Sequence, residues 1–118
     1  MKLTHRQFQD IQTLASRVLE GDHFDTDIET FSRFSEQFRH WIYDFTDDYR
    51  VVERLEKIPF IEVQKEQSSF WDAVPGISPF RMYNKYRDRE GIKAKVKEAA
   101  SLFNAIYFLL QDELDEFV

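Results

Sequence analysis

The chain contains neither glycine nor proline between Gly21 and Pro59, and these are the two residues that most readily interrupt a helix. Apolar residues recur through this stretch at intervals of three or four positions: Ile28, Phe31, Phe34, Phe38, Ile42, Phe45, Tyr49 and Val52. This spacing predicts a long amphipathic helix whose apolar face lies on a core. The helix either continues to about Lys57 or bends at residues 46–48, where Thr-Asp-Asp favours a cap, and we favour the bend.

The chain before this stretch predicts a first helix from about Thr4 to Glu20. The Thr4 side chain is suited to cap its start, and Gly21 is suited to end it. We expect the second helix to begin after Thr26, because Glu29 follows three residues later and would complete a capping box. Pro59 should end the helical region.

The C-terminal part carries another apolar stripe, made of Ile92, Val96, Ala99, Phe103, Ile106, Leu110, Leu114 and Phe117. Extending one straight helix backwards from this stripe would place Arg81 and Lys85 on its apolar face. We therefore predict two helices, over 79–87 and 89–117, preceded by one long irregular connection around residues 58–78. Together these elements predict an all-α, single-domain bundle of four to five helices.

Composition excludes several classes of protein. The 118 residues include 19 aromatic ones, enough for a packed core, and no cysteine for a disulfide framework or a thiolate metal site. The three glycines are isolated, so there is no Gly-rich phosphate loop, and no serine lies in a nucleophile elbow. The N-terminus lacks the apolar region of a signal peptide. We expect a cytoplasmic protein without a membrane span, a cofactor or a catalytic site.

Charge is distributed unevenly along the chain, whose formal net charge is −6. The basic segment, residues 81–97, carries Arg81, Lys85, Arg87, Arg89, Lys93, Lys95 and Lys97 against only two acidic residues. We expect this segment to form a binding surface beside Trp71, which would pack onto the bundle as an aromatic anchor. Its charges instead have internal partners if they pair with the acidic residues of 20–29 or 112–116.

The last predicted helix is apolar on more than one face. Leu102, Ala105 and Leu109 lie off its main stripe, and Phe108 lies nearly opposite to it. A helix of this kind is either central in its bundle or shared with another molecule. We favour the central position, with a homodimer through Leu102, Ala105 and Leu109 as the alternative.

The second helix also carries a polar face with a histidine. Glu36, His40, Asp44 and Asp47 follow one another at helical spacing, nearly opposite the apolar stripe. A Glu-x-x-x-His pair is able to hold a divalent metal, but a catalytic site needs further ligands from other helices. We therefore expect a solvated face and no metal site.

Six residues separate Arg33 from His40 on this second helix. The spacing resembles the Arg-x(4–6)-His pattern of the helical RNases of the HEPN class. That resemblance implies metal-independent cleavage of RNA in a dimer cleft flanked by Arg33 and His40, with His40 acting in proton transfer.

Three functions follow from the sequence. The first is a non-enzymatic protein–protein interaction module, of the inhibitor, immunity, antitoxin or adaptor type, that uses a charged helical surface. The alternative is a protein that binds nucleic acid through the basic segment, where Tyr83 and Tyr86 are available for stacking. The third is the HEPN-type RNase.

Overall fold

The computed structural model describes residues 3–61 and 89–114. These ranges form four α-helices, α1 (His5–Glu20), α2 (Phe24–Phe45), α3 (Tyr49–Lys57) and α4 (Arg89–Leu110), followed by a 3₁₀ turn over Gln111–Glu113. Neither range contains a β-strand, which confirms the all-α class. The predicted helix over 79–87 and the connection from residue 62 onward lie outside the described residues, so the total number of helices stays a prediction.

Helix α1 begins and ends as its sequence predicts. Thr4 Oγ1 accepts a hydrogen bond from the Gln7 backbone N–H (3.2 Å), and Gln7 Oε1 accepts one from the Thr4 backbone N–H (3.0 Å). These two bonds form a capping box. At the other end Gly21 adopts a φ of 82°, the left-handed conformation that only glycine reaches without strain, and its N–H donates to the Arg17 carbonyl.

Helix α2 begins earlier than predicted. Its first residue is Phe24, the preceding His23 makes no side-chain capping bond, and the predicted cap Thr26 lies inside the helix. There the Thr26 carbonyl accepts a hydrogen bond from Thr30 Oγ1 (3.0 Å). The physical reason is that Phe24 precedes Ile28 by one turn, so the additional turn buries the Phe24 ring, which is only 2% exposed.

The predicted bend at residues 46–48 is confirmed. Helix α2 ends at Phe45, and α3 begins after Asp48, whose Oδ1 accepts a hydrogen bond from the Arg50 backbone N–H (2.9 Å). The bend also corrects the predicted apolar stripe, because Tyr49 is 76% exposed. Helix α3 instead buries Val51 and Leu55, which follow from its own periodicity after the restart.

The core is formed where three helices bring their phenylalanines together. Helix α1 packs against both α2 and α4, and α3 packs against α4. The rings of Phe38 in α2 and Phe103 in α4 are stacked, with centroids 5.3 Å apart. Phe8 in α1 meets Phe38 edge-on at 4.7 Å. Phe38 and Phe103 are fully buried, as the two stripes predict.

Helix α4 ends before the predicted residue 117. The α-helix stops at Leu110, and the backbone tightens into the 3₁₀ turn that contains Asp112 and Glu113. Carboxylates at a helix C-terminus oppose the helix dipole, so the acidic sequence disfavours another α-helical turn. In residues 3–61 and 89–114, no helix combines the length and the apolar character needed to cross a membrane.

We predict that Phe38→Ala destabilises the chain by about 3–5 kcal/mol, because it removes a fully buried ring and leaves a cavity. Urea unfolding followed by circular dichroism measures this change. The control is Phe60→Ala, since Phe60 is largely exposed and its loss should change the midpoint little. Equal midpoints for the two variants would contradict the assignment of Phe38 to the core.

A second prediction concerns the start of α3. Hydrogen bonds from the Arg50 side chain to both carboxylate oxygens of Asp48 hold the pKa of Asp48 below its usual value of 3.8. The Asp48 charge therefore stabilises the fold above pH 3.8, and this contribution is lost as the pH falls through the lowered pKa.

At neutral pH, thermal midpoints should decrease in the order wild type, Asp48→Asn, Asp48→Ala. Asparagine retains the cap without the charge, whereas alanine loses both. The difference between wild type and Asp48→Asn should shrink as the pH is lowered below 3.8. A difference that is independent of pH would contradict the ionic contribution of Asp48.

Candidate functional site

The basic segment contributes one ordered row of cations to the described part of the chain. Arg89, Lys93 and Lys97 follow one another at intervals of four residues in α4, so they lie along one side of that helix. We call these three residues the basic row. Lys95 is also exposed but lies on a different side of α4. Arg81, Lys85 and Arg87 lie outside the described residues, as does Trp71.

Two members of the basic row contact the end of α1 and the start of α2. The Arg89 guanidinium lies over the Phe24 ring, 4.9 Å from its centroid, and Arg89 Nη2 is 3.8 Å from Asp25 Oδ1. Lys93 Nζ approaches Gly21 so closely that a Cβ added there would lie 3.4 Å away. Gly21, Phe24 and Asp25 all lie in the stretch 20–29, one of the two acidic regions that the sequence suggests as internal partners.

The ion pairs of the basic row are long, and each has at least one exposed partner. Both side chains of the Arg89–Asp25 pair are more than half exposed, whereas the Lys93 side chain is 24% exposed and its Nζ is 3.9 Å from the exposed Glu90 carboxylate. Exposed pairs of this kind contribute about 0–1 kcal/mol. Lys97 is exposed and forms no ion pair with the residues that the structure describes. The row therefore keeps positive charge available to a partner.

Helix α2 and the turn after it carry the opposite charge. Residues 24–48 include seven carboxylates against the two arginines Arg33 and Arg39. The exposed carboxylates of Asp44 and Asp47 lie near the C-terminus of α2, away from the basic row at the start of α4. The carboxylates at the start of α2, by contrast, lie beside the basic row, since Asp25 pairs with Arg89. The basic row is thus a local exception on an acidic protein.

The predicted polar face of α2 is confirmed as solvent-exposed. The His40 side chain is 68% exposed, and its Nε2 is 3.7 Å from Glu36 Oε1, which also accepts a hydrogen bond from Arg39 Nη2 (2.8 Å). Arg33 is exposed as well, and its Nη2 bonds Glu29 Oε1 at 2.9 Å. The described ranges contain no group of three or more His, Asp or Glu side chains placed to hold a metal ion.

The seam between α1 and α4 is a feature that sequence reasoning missed. His5 Nδ1 is 2.9 Å from Tyr107 Oη, and Gln12 Nε2 donates to the Ala100 carbonyl at 2.8 Å. Beside these contacts lies a groove of about 410 Å³, which we call the amide groove, lined by His5, Phe8, Gln9, Gln12, Thr13, Asn104 and Tyr107. The sequence signal for this site is the row of polar residues at positions 5, 9 and 12 on α1. The groove itself forms only where α4 packs beside them.

A second depression lies between α2 and residues 58–61. Ser32 Oγ donates a hydrogen bond to the Ile61 carbonyl (2.9 Å) beside this space. Its volume of about 10 Å³ leaves room for about one water molecule at most. The space is therefore too small to hold a substrate or cofactor.

Residues of the predicted homodimer surface take part in the fold itself. Leu102 and Leu109 are partly buried and pack against the core, and Ala105 is half-buried. Phe108 is 61% exposed on the outer side of α4. The two leucines thus serve the chain's own bundle, and a homodimer through this surface stays a prediction.

The chain was compared with protein-family models, with curated proteins and with solved structures, and none of them matches it. The residues above are therefore the basis for the functional argument.

We predict that His40→Ala changes the free energy of unfolding by no more than about 0.5 kcal/mol, because the side chain lies in solvent. Metal analysis of the purified wild-type protein should find no stoichiometric zinc, iron or manganese that the variant loses. A bound metal that disappears with His40 would contradict the assignment of this face.

Proposed function

We propose that the chain is a non-enzymatic protein–protein interaction module that binds an acidic partner surface through the basic row Arg89, Lys93 and Lys97. The observation that supports this function most directly is the arrangement of the row. Three cations lie on one side of a single helix, and their only ion pairs with described residues are 3.8 and 3.9 Å long, each with at least one exposed partner.

The surrounding charge favours a protein partner over a polyanion. An ordered row of cations attracts carboxylates at short range and guides their approach. The whole chain has a net charge of −6, and α2 is strongly acidic. Both features repel nucleic acid at long range, whereas a protein partner needs to be acidic only where it meets the basic row.

Nucleic-acid binding through the basic segment is the alternative. It is supported by the density of Lys and Arg in residues 81–97. RNA cleavage through Arg33 and His40 is the third candidate. In its support, the two side chains are exposed on α2 and about 10 Å apart along the helix axis, and each lies next to a carboxylate.

Lys97→Glu tests the proposed function, with Lys95→Glu as a matched control. Both substitutions reverse one exposed lysine on α4, two residues apart, but only Lys97 belongs to the basic row. Immobilised wild type and both variants are incubated with nuclease-treated lysate of the native organism, and the bound proteins are quantified by mass spectrometry. The captured protein is then purified, and its affinity for each variant is measured.

We expect the purified partner to bind wild type and Lys95→Glu with similar affinity. Lys97→Glu should weaken binding about tenfold or more, and binding to wild type should weaken as salt is raised. Equal binding by the two variants would contradict the role of the basic row. Thermal midpoints provide the check on folding.

Further measurements distinguish nucleic-acid binding and RNA cleavage from the proposed function. A labelled 20-nucleotide polyuridine and a duplex DNA serve as probes for nucleic-acid binding. Binding of either probe that Lys97→Glu abolishes, without a protein partner, would support the alternative over our proposal. Cleavage of RNA in the presence of a metal chelator, lost in Arg33→Ala and His40→Ala, would identify the RNase.

A further inference from the structure

Helices α1 and α4 run antiparallel in a regular register. His5 contacts Tyr107, Gln12 contacts Ala100, and Leu19 lines one depression together with Lys93. Each step is seven residues on both helices, in opposite directions. The two contacts and the shared depression therefore define a seam, which extends about 21 Å along the two helices at 1.5 Å per residue.

One half of the seam is the amide groove, and among the described residues that line it there is no acid, lysine or arginine. In a chain with 32% charged residues this is a distinct local environment. The exposed side chains of Gln9, Thr13 and Asn104 make no hydrogen bonds to other described residues. Their donors and acceptors are thus available at the rim of the groove.

The other half of the seam is basic. Its depression, also of about 410 Å³, is lined by Leu19, Glu90, Lys93, Ala94 and Lys97. Two of the three basic-row residues therefore lie at this end. A ligand that covers the whole seam meets uncharged amides at one end and, at the other, two ammonium groups beside the exposed Glu90 carboxylate.

We propose that this seam binds an extended segment of about six residues from the partner protein. Its uncharged residues lie in the amide groove and its Asp or Glu residues lie at Lys93 and Lys97. The proposal rests on the function proposed above and identifies the shape and chemistry of the bound element. Six extended residues span about 20 Å, which matches the length of the seam.

The chemistry of the groove favours an extended segment over a helix. A primary amide both donates and accepts hydrogen bonds, as each peptide unit does. An extended segment brings unpaired backbone N–H and C=O groups that Gln9 and Asn104 are able to satisfy. A docked helix has already paired these groups, and it would require an apolar groove instead.

The rings in the groove argue against a stacked nucleobase. Tyr107 is already surrounded by His5, Phe8 and Phe108, with centroids at 5.6, 5.3 and 5.8 Å. Phe8 is only 4% exposed. Stacking a base requires an open aromatic face, whereas hydrogen bonding to a peptide backbone does not.

The experiment uses a phage-displayed library of random seven-residue peptides, selected on the purified full-length chain. We expect the enriched peptides to combine Asp or Glu at one end with uncharged residues at the other. One enriched peptide is then labelled, and its affinity for each variant is measured by fluorescence polarisation.

Gln9→Leu and Asn104→Leu each remove a hydrogen-bonding group at constant charge and similar size, and Gln37→Leu on the exposed side of α2 is the matched control. We expect each groove variant to weaken binding about fivefold to tenfold, as the loss of an interfacial hydrogen bond predicts, and the control to have no effect. Lys97→Glu should weaken binding and reduce its dependence on salt. All four positions are exposed, so thermal midpoints should stay near that of wild type.

Several results would overturn the inference. If no peptide is enriched, or if both groove variants bind as wild type does, the segment does not lie in the groove. The proposed function survives in that case, provided that Lys97→Glu still loses the purified partner. Tighter binding by the leucine variants would indicate an apolar helix instead. Competition by polyuridine that depends on Gln9 and Asn104 would assign the seam to nucleic acid and would contradict both proposals.

Discussion

The stacked rings of Phe38 and Phe103 join two helices that lie far apart in the chain. Neither α2 nor α4 is able to bury its apolar face alone. In isolation, each helix would be stabilised only by the intrinsic helix propensity of its residues. The ring contact brings the two faces together, and Phe8 adds α1 to the same cluster. Once α1 is held there, its polar side faces α4 along the seam. The candidate binding surface thus depends on this core contact, which it meets through Phe8.

The bundle determines which charges remain available. Arg89 reaches the first turn of α2 and Lys93 reaches Gly21, whereas Lys97 is exposed to solvent. The contacts of Arg89 and Lys93 are weak because solvent screens them. The fold therefore positions these two cations without neutralising their charges. An acidic segment of a partner would exchange these intramolecular ion pairs for intermolecular ones. Such an exchange favours reversible binding over a permanent complex.

The seam combines two kinds of recognition over one short distance. Charge at Lys93 and Lys97 accelerates and orients encounter, and it acts over a distance of about 10 Å at moderate salt. Hydrogen bonds in the amide groove act only on contact, so they discriminate between partners after encounter. Because the two halves lie end to end, a partner must carry both features in the correct order. This requirement gives a small helical protein selectivity without a deep pocket.

Features that depend on neighbours within one helix were predictable from the sequence. The Thr4 cap, the Gly21 stop, the bend at 46–48 and the burial of Phe38 and Phe103 all follow from local hydrogen bonds or from helical periodicity. The early start of α2 at Phe24 and the exposure of Tyr49 did not follow, because burial against other helices outweighed a local cap and a continued stripe.

The amide groove was equally inaccessible to sequence reasoning. Its two walls come from α1 and α4, and periodicity within each helix contains no information about their register. Only the packing of α1 against α4, held by the central phenylalanines, brought Gln9 and Asn104 to one site.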